Sequence, residues 1–446
     1  MKYHIITFGC QMNRSDSERL AAVLDGLGYK PTGSEQSADL VAVVACSVRQ
    51  SAIDRIYGRV KIWNKIKKTR ELTTVLTGCV LKSDQKKLQK AFDFILDIKE
   101  LNKLPALLKG QKQLSGEYLS IVPKYESPFQ AYVPVSTGCN NYCSYCVVPY
   151  VRGPEKHRPA EEIINEVKCL VKKGYQEITL LGQNVNSYQS RMGTNDSRIS
   201  TNIREIGGEI SVNSRNINFA KLLRMVNDLP GNFWLRFITS HPKDLSNELI
   251  KVMANSKKCC EYLHLPVQSG DDQILQAMNR RYTVVHYKNL IKKIRRVIPG
   301  IAISTDIIVG FPGETTKQFN NTAKLMKEIN FDMAYLAEYS SRPGTVAEKL
   351  KDNIPLKEKR QRRNLLNEIL KKSALKNNKK YLNKIVEVLI DGQDENYYYG
   401  KTRTFKTVKI KKSPEYQVGD IIKTKINKIR DFCLEGVVIE QNLGAT

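Results

Sequence analysis

Short apolar runs alternate with amphipathic stretches through the first hundred residues. The predicted strands cover 3–8, 40–45 and 73–76, and the predicted helices run from 15 or 16 to 27 and over 50–65. Strands separated by helices are typical of a parallel sheet with helices on its faces. We therefore predict an α/β fold that begins with an N-terminal parallel α/β domain over residues 1–125.

The same alternation continues from residue 130 to residue 340. Six strands are predicted, at 131–136, 177–181, 234–239, 261–265, 301–309 and 332–339, with amphipathic helices that include 160–172, 219–227 and 287–297. Six strand–helix units predict a partial (β/α)6 barrel over residues 126–375, rather than the full eight. The polar stretch 190–216 has no sustained period and is predicted to be a surface insertion.

The last part of the chain changes character twice. Residues 355–382 predict a helix with a strongly basic sequence, and short alternating runs follow at 385–390, 404–410, 420–426 and 432–439, separated by glycines. Short strands of this kind predict a small antiparallel β-barrel of about five strands over residues 376–446.

The charge balance of the chain is strongly basic. Its 446 residues include 72 Lys and Arg against 45 Asp and Glu, a net charge of +27. This excess favours a polyanionic partner, and nucleic acid is the natural candidate. A proteome rich in lysine is the alternative explanation.

The distribution of apolar residues gives no sign of a membrane segment. No stretch approaches the ~20 apolar residues of a membrane span. The apolar segment at the N-terminus is too short for a signal peptide. We expect a cytoplasmic protein whose cysteines stay reduced.

Three cysteines, Cys139, Cys143 and Cys146, follow the first strand of the predicted central barrel. Their spacing suits a [4Fe-4S] cluster with one iron free of protein ligands, an open position that allows chemistry on a substrate. A closed zinc site is the alternative, with His157 or Cys169 as the fourth ligand. Cys169 lies in an apolar-periodic run, where a small buried residue is the default.

Three further cysteines, Cys10, Cys46 and Cys79, each end a predicted strand of the N-terminal sheet. The ends of parallel strands lie along one edge, so these thiolates are predicted to converge on a second metal site. Gly9 and Gly78 would then let the backbone approach a bulky cluster. Three unrelated buried cysteines are the alternative, and Cys259, Cys260 and Cys433 are expected to be packing residues.

The C-terminal barrel carries aromatic and cationic residues close together. Small barrels with this composition commonly bind RNA, although a purely structural cap is the alternative. The predicted RNA-binding residues are Tyr398, Lys401, Arg403, Phe405 and Lys406.

Taken together, these segments resemble the radical S-adenosylmethionine methylthiotransferases. The resemblance covers nearly the whole chain and rests on GCQMN at 9–13, DSE at 16–18, CSVR at 46–49, GCNNYCSYCVVPYVRG at 138–153, LGQNVNSY at 181–188, TSHP at 239–242, HLPVQSG at 264–270, IVGFPGE at 308–314 and YSSRPGT at 339–345. It implies an N-terminal methylthiotransferase domain, a radical domain and a terminal barrel of the TRAM type.

The resemblance also implies cofactors and site residues. It implies two [4Fe-4S] clusters, one on Cys139, Cys143 and Cys146 that cleaves S-adenosylmethionine reductively, and an auxiliary one on Cys10, Cys46 and Cys79 that supplies or carries sulfur. Residues expected to bind S-adenosylmethionine are Tyr145, Gly182, Gln183, Asn184, Gly310 and Gly313. Those expected to line the substrate pocket are Arg236, His264, Gln268, Ser269 and Arg342.

The expected reaction is methylthiolation of carbon 2 of N6-isopentenyladenosine beside the anticodon of tRNA. Gln11, Met12 and Asn13 after Cys10 resemble the branch with this substrate. The alternatives are methylthiolation of threonylcarbamoyladenosine in tRNA or of a ribosomal-protein aspartate, and a non-catalytic RNA-binding protein with cysteine-bound metal. Expected partners are tRNA, an electron donor such as a flavodoxin or ferredoxin, and a sulfur donor, and the protein is expected to be a monomer.

Overall fold

A computed structural model describes residues 1–48, 50–191 and 216–439. The N-terminal part is a five-stranded sheet of order β2-β1-β3-β4-β5, parallel in every pair, as predicted. Its strands are β1 (Lys2–Thr7), β2 (Lys30–Pro31), β3 (Leu40–Cys46), β4 (Thr73–Cys79) and β5 (Phe94–Ile95). Its helices are α1 (Gln11–Gly26), α2 (Gln50–Lys67), α3 (Lys82–Leu88) and α4 (Leu104–Lys109).

Helix α1 begins at Gln11, earlier than the sequence pattern predicts. Its first turns bury polar side chains, including Asn13, Ser15 and Asp16, because they pack against the rest of the protein rather than face water. Ser15 Oγ donates a hydrogen bond to the Tyr132 carbonyl, 3.4 Å away in the central part. A prediction of where a helix starts depends on apolar residues at helical spacing. The buried positions in the first turns of α1 are polar, so this spacing is absent there.

The central part contains the six predicted strands, in the spatial order β6-β9-β12-β13-β14-β15. They are β6 (Gln130–Pro134), β9 (Glu177–Leu181), β12 (Trp234–Ile238), β13 (Tyr262–His264), β14 (Ala302–Val309) and β15 (Met333–Glu338). All neighbours run parallel, and an isolated bridge between Leu235 and Cys259 joins the two halves. The strands therefore form the predicted open barrel.

Helices cover the outer face of this barrel and bury a shared apolar core against it. They are α6 (Ala160–Lys172), α7 (Phe219–Asn227), α8 (Asn247–Asn255), α10 (Val284–Val297), α11 (Thr316–Ile329) and α12 (Leu356–Asn378). Two shorter helices, α5 (Val148–Arg152) and α9 (Asp272–Ala277), contribute to separate apolar clusters. The basic helix α12 buries Leu366 and Leu370 in that core. None of the helices in the described parts of the chain is long and apolar enough to cross a bilayer.

Two short antiparallel pairs decorate the central part. They are β7 (Ser136–Thr137) with β8 (Lys156–His157), and β10 (Gln189–Arg191) with β11 (Asn216–Asn218). The second pair flanks the predicted insertion 190–216, of which residues 192–215 lie outside the described residues. Short 3-10 turns occur at Glu35–Ser37, Gln89–Ala91, Ile98–Lys103, Tyr118–Ser120, Val185–Ser187, Pro242–Asp244, Val346–Lys349 and Lys379–Tyr381.

The C-terminal part is a closed five-stranded barrel, as predicted, of order β16-β17-β18-β20-β19. Its strands are β16 (Ile385–Gln393), β17 (Tyr397–Thr402), β18 (Thr407–Lys411), β19 (Ile421–Ile429) and β20 (Cys433–Val438). One pair, β18 with β20, is parallel rather than antiparallel. The run predicted as a strand from 404 starts later because Phe405 has a positive φ of 63° in a turn after Thr402.

Candidate active site

The loop after β6 carries Cys139, Cys143 and Cys146 at the carboxyl end of the barrel strands. Gly138 has a φ of 78°, and a Cβ there would lie 2.2 Å from the Pro154 carbonyl oxygen. The Cys139 N–H donates to the Gly153 carbonyl at 3.2 Å, and the Cys146 N–H donates to the Cys143 carbonyl at 2.9 Å. These contacts therefore fix the conformation of the loop.

Residues distant in sequence hold the middle of this loop. Ser144 donates its N–H to Met278 and its hydroxyl to Ala277, at 3.1 and 2.7 Å. Asn279 donates its amide to the carbonyls of Asn141 and Tyr142, at 3.3 and 2.9 Å. The turn after α9 thus fixes how the three thiols are presented.

The electrostatics of the three thiols fit ligands of a cationic metal centre. Burial raises the pKa of Cys139, and it raises the pKa of Cys146 to about 12, with the Cys143 thiol adding to the rise. Buried thiolates need nearby positive charge, which a metal supplies. The buried Arg280 guanidinium supplies a second cation, because its Nη1 donates to Cys143 Sγ at 3.4 Å.

The two candidate fourth ligands of a zinc site, His157 and Cys169, have other surroundings in the structure. Within the described ranges, no three His, Cys, Asp or Glu side chains are grouped so that they would hold one ion. A zinc site needs four ligands on a single ion, whereas the cysteines of an iron–sulfur cluster bind separate irons. His157 is engaged elsewhere, since its Nδ1 accepts from the Gln189 N–H at 2.6 Å. Cys169 is exposed, so the prediction that it is buried was wrong.

The second set of cysteines lies at one edge of the N-terminal sheet. Cys46 and Cys79 end adjacent strands and are opposite each other in register, and Cys10 caps the start of α1. A hydrogen bond between the Cys46 and Cys79 thiols holds the pKa of Cys79 well above its ordinary value and lowers that of Cys46. Cys10 interacts electrostatically with Cys79. The structure thus brings these three residues together.

The two glycines beside these cysteines are also required by the packing of the chain itself. A Cβ on Gly78, whose φ is 106°, would lie 2.4 Å from the Ala45 carbonyl oxygen on β3. A Cβ on Gly9 would lie 2.5 Å from Asn13 Oδ1. Both glycines are therefore required for the chain's own packing, which sets the positions of Cys10 and Cys79.

Helix α5 joins the two sets of cysteines. It follows Cys146 directly, and its Val147–Val151 side packs against Cys46, Cys79 and Leu81 in one apolar cluster. Arg152 at its end is buried and donates to Cys79 Sγ at 2.9 Å.

A cavity of about 1030 Å³ lies beside Cys146 and the segment that follows Cys46. Cys146 and Tyr145 line it from the loop after β6 that carries Cys139, Cys143 and Cys146, the radical loop. Val48, two residues after Cys46, lines it from the N-terminal part. Strands β14 and β15 contribute Asp306 and Ile308 among other residues. The cavity is large enough for a nucleoside-sized ligand.

Buried polar atoms without a partner mark the strand ends above this barrel. Within the part of the chain that the structure describes, Ser136 Oγ, Asn184 Oδ1, Ser240 Oγ and Gln268 Oε1 accept or donate no hydrogen bond. Such atoms are costly unless a ligand satisfies them. A Cβ on Gly182 would lie 2.7 Å from Ser136 Oγ and would fill the space beside it. This arrangement fits the polar amino-acid end of S-adenosylmethionine, close to the predicted Gly182, Gln183 and Asn184.

An apolar surface continues from the radical loop to the turn after β14. Tyr145 and Ile308 pack against a buried cluster that includes Phe311 and Tyr339. The turn itself has positive φ at Gly310 and Gly313, and Glu314 accepts from the Gly310 N–H and from Arg362, each at 2.7 Å. Tyr145 therefore borders an apolar surface suited to a flat ring, whereas a Cβ on the predicted Gly310 would lie 2.4 Å from the Lys359 side chain.

Three of the five predicted substrate residues lie at or near the cavity. Gln268 and Arg342 line it, and His264 contacts its Asp306 at 3.3 Å and Ser304 at 2.8 Å. Ser269 instead contacts the Thr322 hydroxyl at 3.4 Å and is fully buried.

Arg236 lies at the opposite end of the barrel from the cysteine loop, so its predicted place in the pocket is corrected. It is buried and pairs with Glu177 at 2.5 Å. It also donates to the carbonyls of Arg403 and Thr402, at 2.8 and 2.9 Å. Arg236 therefore holds the C-terminal barrel on the central part.

The predicted RNA-binding residues lie at this same contact or in the barrel core. Arg403 pairs with Glu261 at 2.8 Å, Phe405 stacks on Tyr262 with ring centroids 4.7 Å apart, and Lys406 pairs with Asp332 at 2.7 Å. Tyr398 is buried in the core, and Lys401 donates to Thr407 at 2.7 Å. The structure therefore gives these side chains packing partners within the protein, in place of the exposed surface that was predicted to bind RNA.

Sequence reasoning missed Arg280 and the role of Arg152. Both are buried and donate to a cysteine sulfur, but their partners are 137 and 73 residues away in sequence. Neither stands at a metal-ligand spacing, so no local signal marks them. Cys259 and Cys260 are buried, consistent with packing residues.

Comparisons with known proteins agree with this geometry. The Radical SAM superfamily model matches residues 133–326, and the model of the uncharacterized protein family UPF0004 matches residues 2–97. The solved radical S-adenosylmethionine methyltransferase TsrM from Kitasatospora setae has a similar fold, with a TM-score of 0.54, 13% identity, and coverage of 78% of this chain and 76% of that one.

Curated relatives match almost end to end. The tRNA-2-methylthio-N(6)-dimethylallyladenosine synthase of Clostridium novyi is 41% identical over 98% of this chain and 96% of its own length. The protein of the same name from Carboxydothermus hydrogenoformans is 39% identical over 98% of this chain and 99% of its own. The radical SAM match implies a [4Fe-4S] cluster and S-adenosylmethionine, as the cysteine loop predicts. With this identity along its whole length, the chain belongs to the tRNA-2-methylthio-N(6)-dimethylallyladenosine synthase family.

Proposed function

We propose that this protein transfers a methylthio group to carbon 2 of N6-isopentenyladenosine beside the anticodon of tRNA. The observation that carries the proposal is the cavity bounded by Cys146 on one side and by Val48, next to the Cys46 segment, on the other. A substrate base in that cavity lies between two sets of cysteines. The name shared by the near full-length relatives supports this choice of substrate.

We assign two [4Fe-4S] clusters to the two sets of cysteines. Cys139, Cys143 and Cys146 would hold one, and Cys10, Cys46 and Cys79 the other. When bound at the first set, the cluster supplies the electron for reductive cleavage of S-adenosylmethionine. An aromatic C–H bond is unreactive toward ordinary bases and nucleophiles, which is why such chemistry is needed.

The chain's own residues bind and orient S-adenosylmethionine in this proposal. The unpaired Ser136 and Asn184 side-chain atoms hydrogen-bond its amino-acid end, and Gly182 leaves room for it. The apolar surface around Tyr145 and Ile308 receives the adenine ring. Burial on both sides excludes water from the reacting atoms.

Other residues position the substrate base. Gln268 lines the cavity, and its side-chain Oε1 has no hydrogen-bond partner in the structure. Its backbone has a φ of 70°, a strained conformation that fixes the direction of the side chain. His264 is held between Ser304 and Asp306, so its ring has one orientation. Arg342 lines the cavity where the N-terminal part meets the barrel, and it interacts electrostatically with Asp84 and Cys46.

The rest of the molecule provides the tRNA surface and partner contacts. Arg363, Asn364 and Asn367 of α12 line the cavity rim, and exposed Lys423 and Lys425 alternate along β19 of the terminal barrel. We propose the divisions 1–125, 126–375 and 376–446 for the methylthiotransferase, radical and RNA-binding parts. An electron donor such as a flavodoxin or ferredoxin and a sulfur donor complete the system, and the protein acts as a monomer in the cytoplasm.

The test compares tRNA nucleosides from a strain that lacks the gene with those from strains that carry it again. Loss of 2-methylthio-N6-isopentenyladenosine, with unmodified isopentenyladenosine accumulating, is the expected result. The intact gene restores the product, and variants Cys143→Ala and Cys46→Ala do not. Complete methylthiolation of isopentenyladenosine in the deletion strain would refute the substrate. Loss of a methylthiolated threonylcarbamoyladenosine instead would indicate the sister reaction.

A further inference from the structure

The end of helix α5 places a buried guanidinium between the two sets of cysteines. The Arg152 side chain is fully buried and reaches from the radical loop into the N-terminal part. Its Nε donates to Cys79 Sγ at 2.9 Å, its Nη2 to Asp16 Oδ2 at 2.5 Å, and its Nη1 to the Tyr118 hydroxyl at 3.3 Å. Three different segments therefore fix one side chain.

The charge of Arg152 is compensated, which allows it to stay buried. A buried guanidinium is costly unless it is paired and hydrogen-bonded. The Asp16 carboxylate supplies the opposite charge at zero exposure. Its second oxygen, Oδ1, has no partner among the described residues, so the carboxylate is committed to Arg152.

The same contacts reach back to the radical loop. The Tyr118 hydroxyl that accepts from Arg152 also bonds Thr137 Oγ1 at 3.1 Å. Thr137 precedes the Gly138–Cys139 turn directly. Arg152 is thus tied to the radical loop both through its own helix and through Tyr118, while its Nε contacts Cys79.

We propose that Arg152 is a positioning residue that sets the reduction potential of the auxiliary cluster and fixes that cluster relative to the radical loop. This inference rests on the proposed function, in which Cys79 is a ligand of that cluster. A cation and an N–H···S hydrogen bond both stabilise the more negative, reduced state of a thiolate-bound cluster, so they raise its potential. A simple salt bridge with Asp16 would not require a donor directed at the sulfur.

The test uses full-length protein in which only the auxiliary cluster forms. In the background Cys139→Ala/Cys143→Ala/Cys146→Ala, the variants Arg152→Lys and Arg152→Met are reconstituted anaerobically with iron and sulfide. Iron and sulfide content, the EPR spectrum of the reduced protein and the midpoint potential are measured for each. We expect Arg152→Met to shift the midpoint to more negative values and to change the EPR spectrum, and Arg152→Lys to shift it less.

A neutral pair separates this role from folding. Arg152→Met alone leaves Asp16 buried and unpaired, and that variant can fail to fold. The double variant Asp16→Asn/Arg152→Met removes both charges and nearly preserves the side-chain volumes, so we expect it to restore thermal stability. The midpoint potential of its auxiliary cluster should still be more negative than that of the parent background. In the reciprocal background Cys10→Ala/Cys46→Ala/Cys79→Ala, Arg152→Met leaves the midpoint of the radical cluster unchanged.

Two outcomes contradict the inference in different ways. If the parent background holds a cluster and the double variant has the same midpoint and EPR spectrum, Arg152 serves packing only and the proposed function stands. If the parent background binds no iron and sulfide on Cys10, Cys46 and Cys79, the auxiliary cluster itself is refuted, and the role of Arg152 with it.

Discussion

Glu18 is an ionisable residue buried where the N-terminal part meets the central barrel. Burial raises the pKa of Glu18 to about 7, although the Glu126 N–H donates to its Oε1 at 3.2 Å. The pKa of a glutamate in the unfolded chain is about 4.3. The folded protein therefore holds a proton between these values that the unfolded chain releases, and the free energy of unfolding falls as the pH rises from about 4.5 to about 7.

Replacing Glu18 with glutamine should remove this part of the pH dependence. Between pH 4.5 and 7 the parent should lose up to about 3 kcal/mol more of its unfolding free energy than Glu18→Gln does, at about 1.4 kcal/mol per pKa unit. Urea unfolding at several pH values measures the difference between the two proteins. Parallel stability curves for both would show that Glu18 ionises normally in the folded state.

Gly78 offers a residue-scale test of how the auxiliary cysteines are positioned. Gly78→Ala adds a Cβ 2.4 Å from the Ala45 carbonyl at a φ of 106°. We expect a loss of about 3 kcal/mol or more in unfolding free energy, because β3 and β4 must separate. We also expect a lower iron content at Cys10, Cys46 and Cys79. Gly58→Ala in α2 is the control, since nothing lies within 4 Å of its Cβ and a helical alanine gains about 0.5–1 kcal/mol. Equal stability of the two variants would contradict this packing argument.

The sequence predicts the six clustered cysteines but not the residues that surround them. Cys139, Cys143 and Cys146 are close in sequence, and the ends of parallel strands explain Cys10, Cys46 and Cys79. Arg152 and Arg280 meet these cysteines only through tertiary packing. A single buried arginine has no periodic or spacing signal, so it is found only once the fold is known.

At the scale of elements, most of the predicted strands and helices lie within two or three residues of the observed ones, although no run was predicted for β17. Larger differences in the boundaries occur where one element packs on another part of the chain. The start of α1 buries polar residues against the central part, and the turn after Thr402 is fixed by contacts of Arg403 and Phe405. Local propensity does not contain such contacts, which is also why surface-like residues there were predicted to bind RNA.

The contact between the terminal barrel and the central part depends on a buried ion pair. Arg236→Met leaves the Glu177 carboxylate buried and unpaired, and it removes two hydrogen bonds to the barrel backbone. We expect a loss of about 3–5 kcal/mol and faster proteolysis between the parts. The double variant Glu177→Gln/Arg236→Met should lose less stability and be cleaved more slowly than Arg236→Met when both are compared by limited proteolysis. Equal effects of the single and double variants would exclude a buried-charge penalty.

At the scale of the whole molecule, the net charge of +27 predicts binding to tRNA that weakens with salt. Because the terminal barrel is packed on the central part, exposed lysines test its role better than truncation does. Lys423→Ala/Lys425→Ala should weaken tRNA binding and reduce the salt slope by about 1–2, whereas Lys317→Ala/Lys324→Ala on α11 removes equal charge with less effect. Filter binding at several salt concentrations measures both, and equal losses would leave net charge alone as the cause.

The three parts catalyse one reaction together only if both sets of cysteines act on a base that is bound in the shared cavity. The most direct measurement is mass spectrometry of nucleosides from isopentenyladenosine-containing tRNA after incubation with anaerobically reconstituted protein, S-adenosylmethionine and a reductant. The account predicts conversion to the 2-methylthio nucleoside, with 5′-deoxyadenosine released and neither product formed by Cys143→Ala. Protein that carries both clusters and releases 5′-deoxyadenosine, yet leaves isopentenyladenosine unchanged, would contradict it.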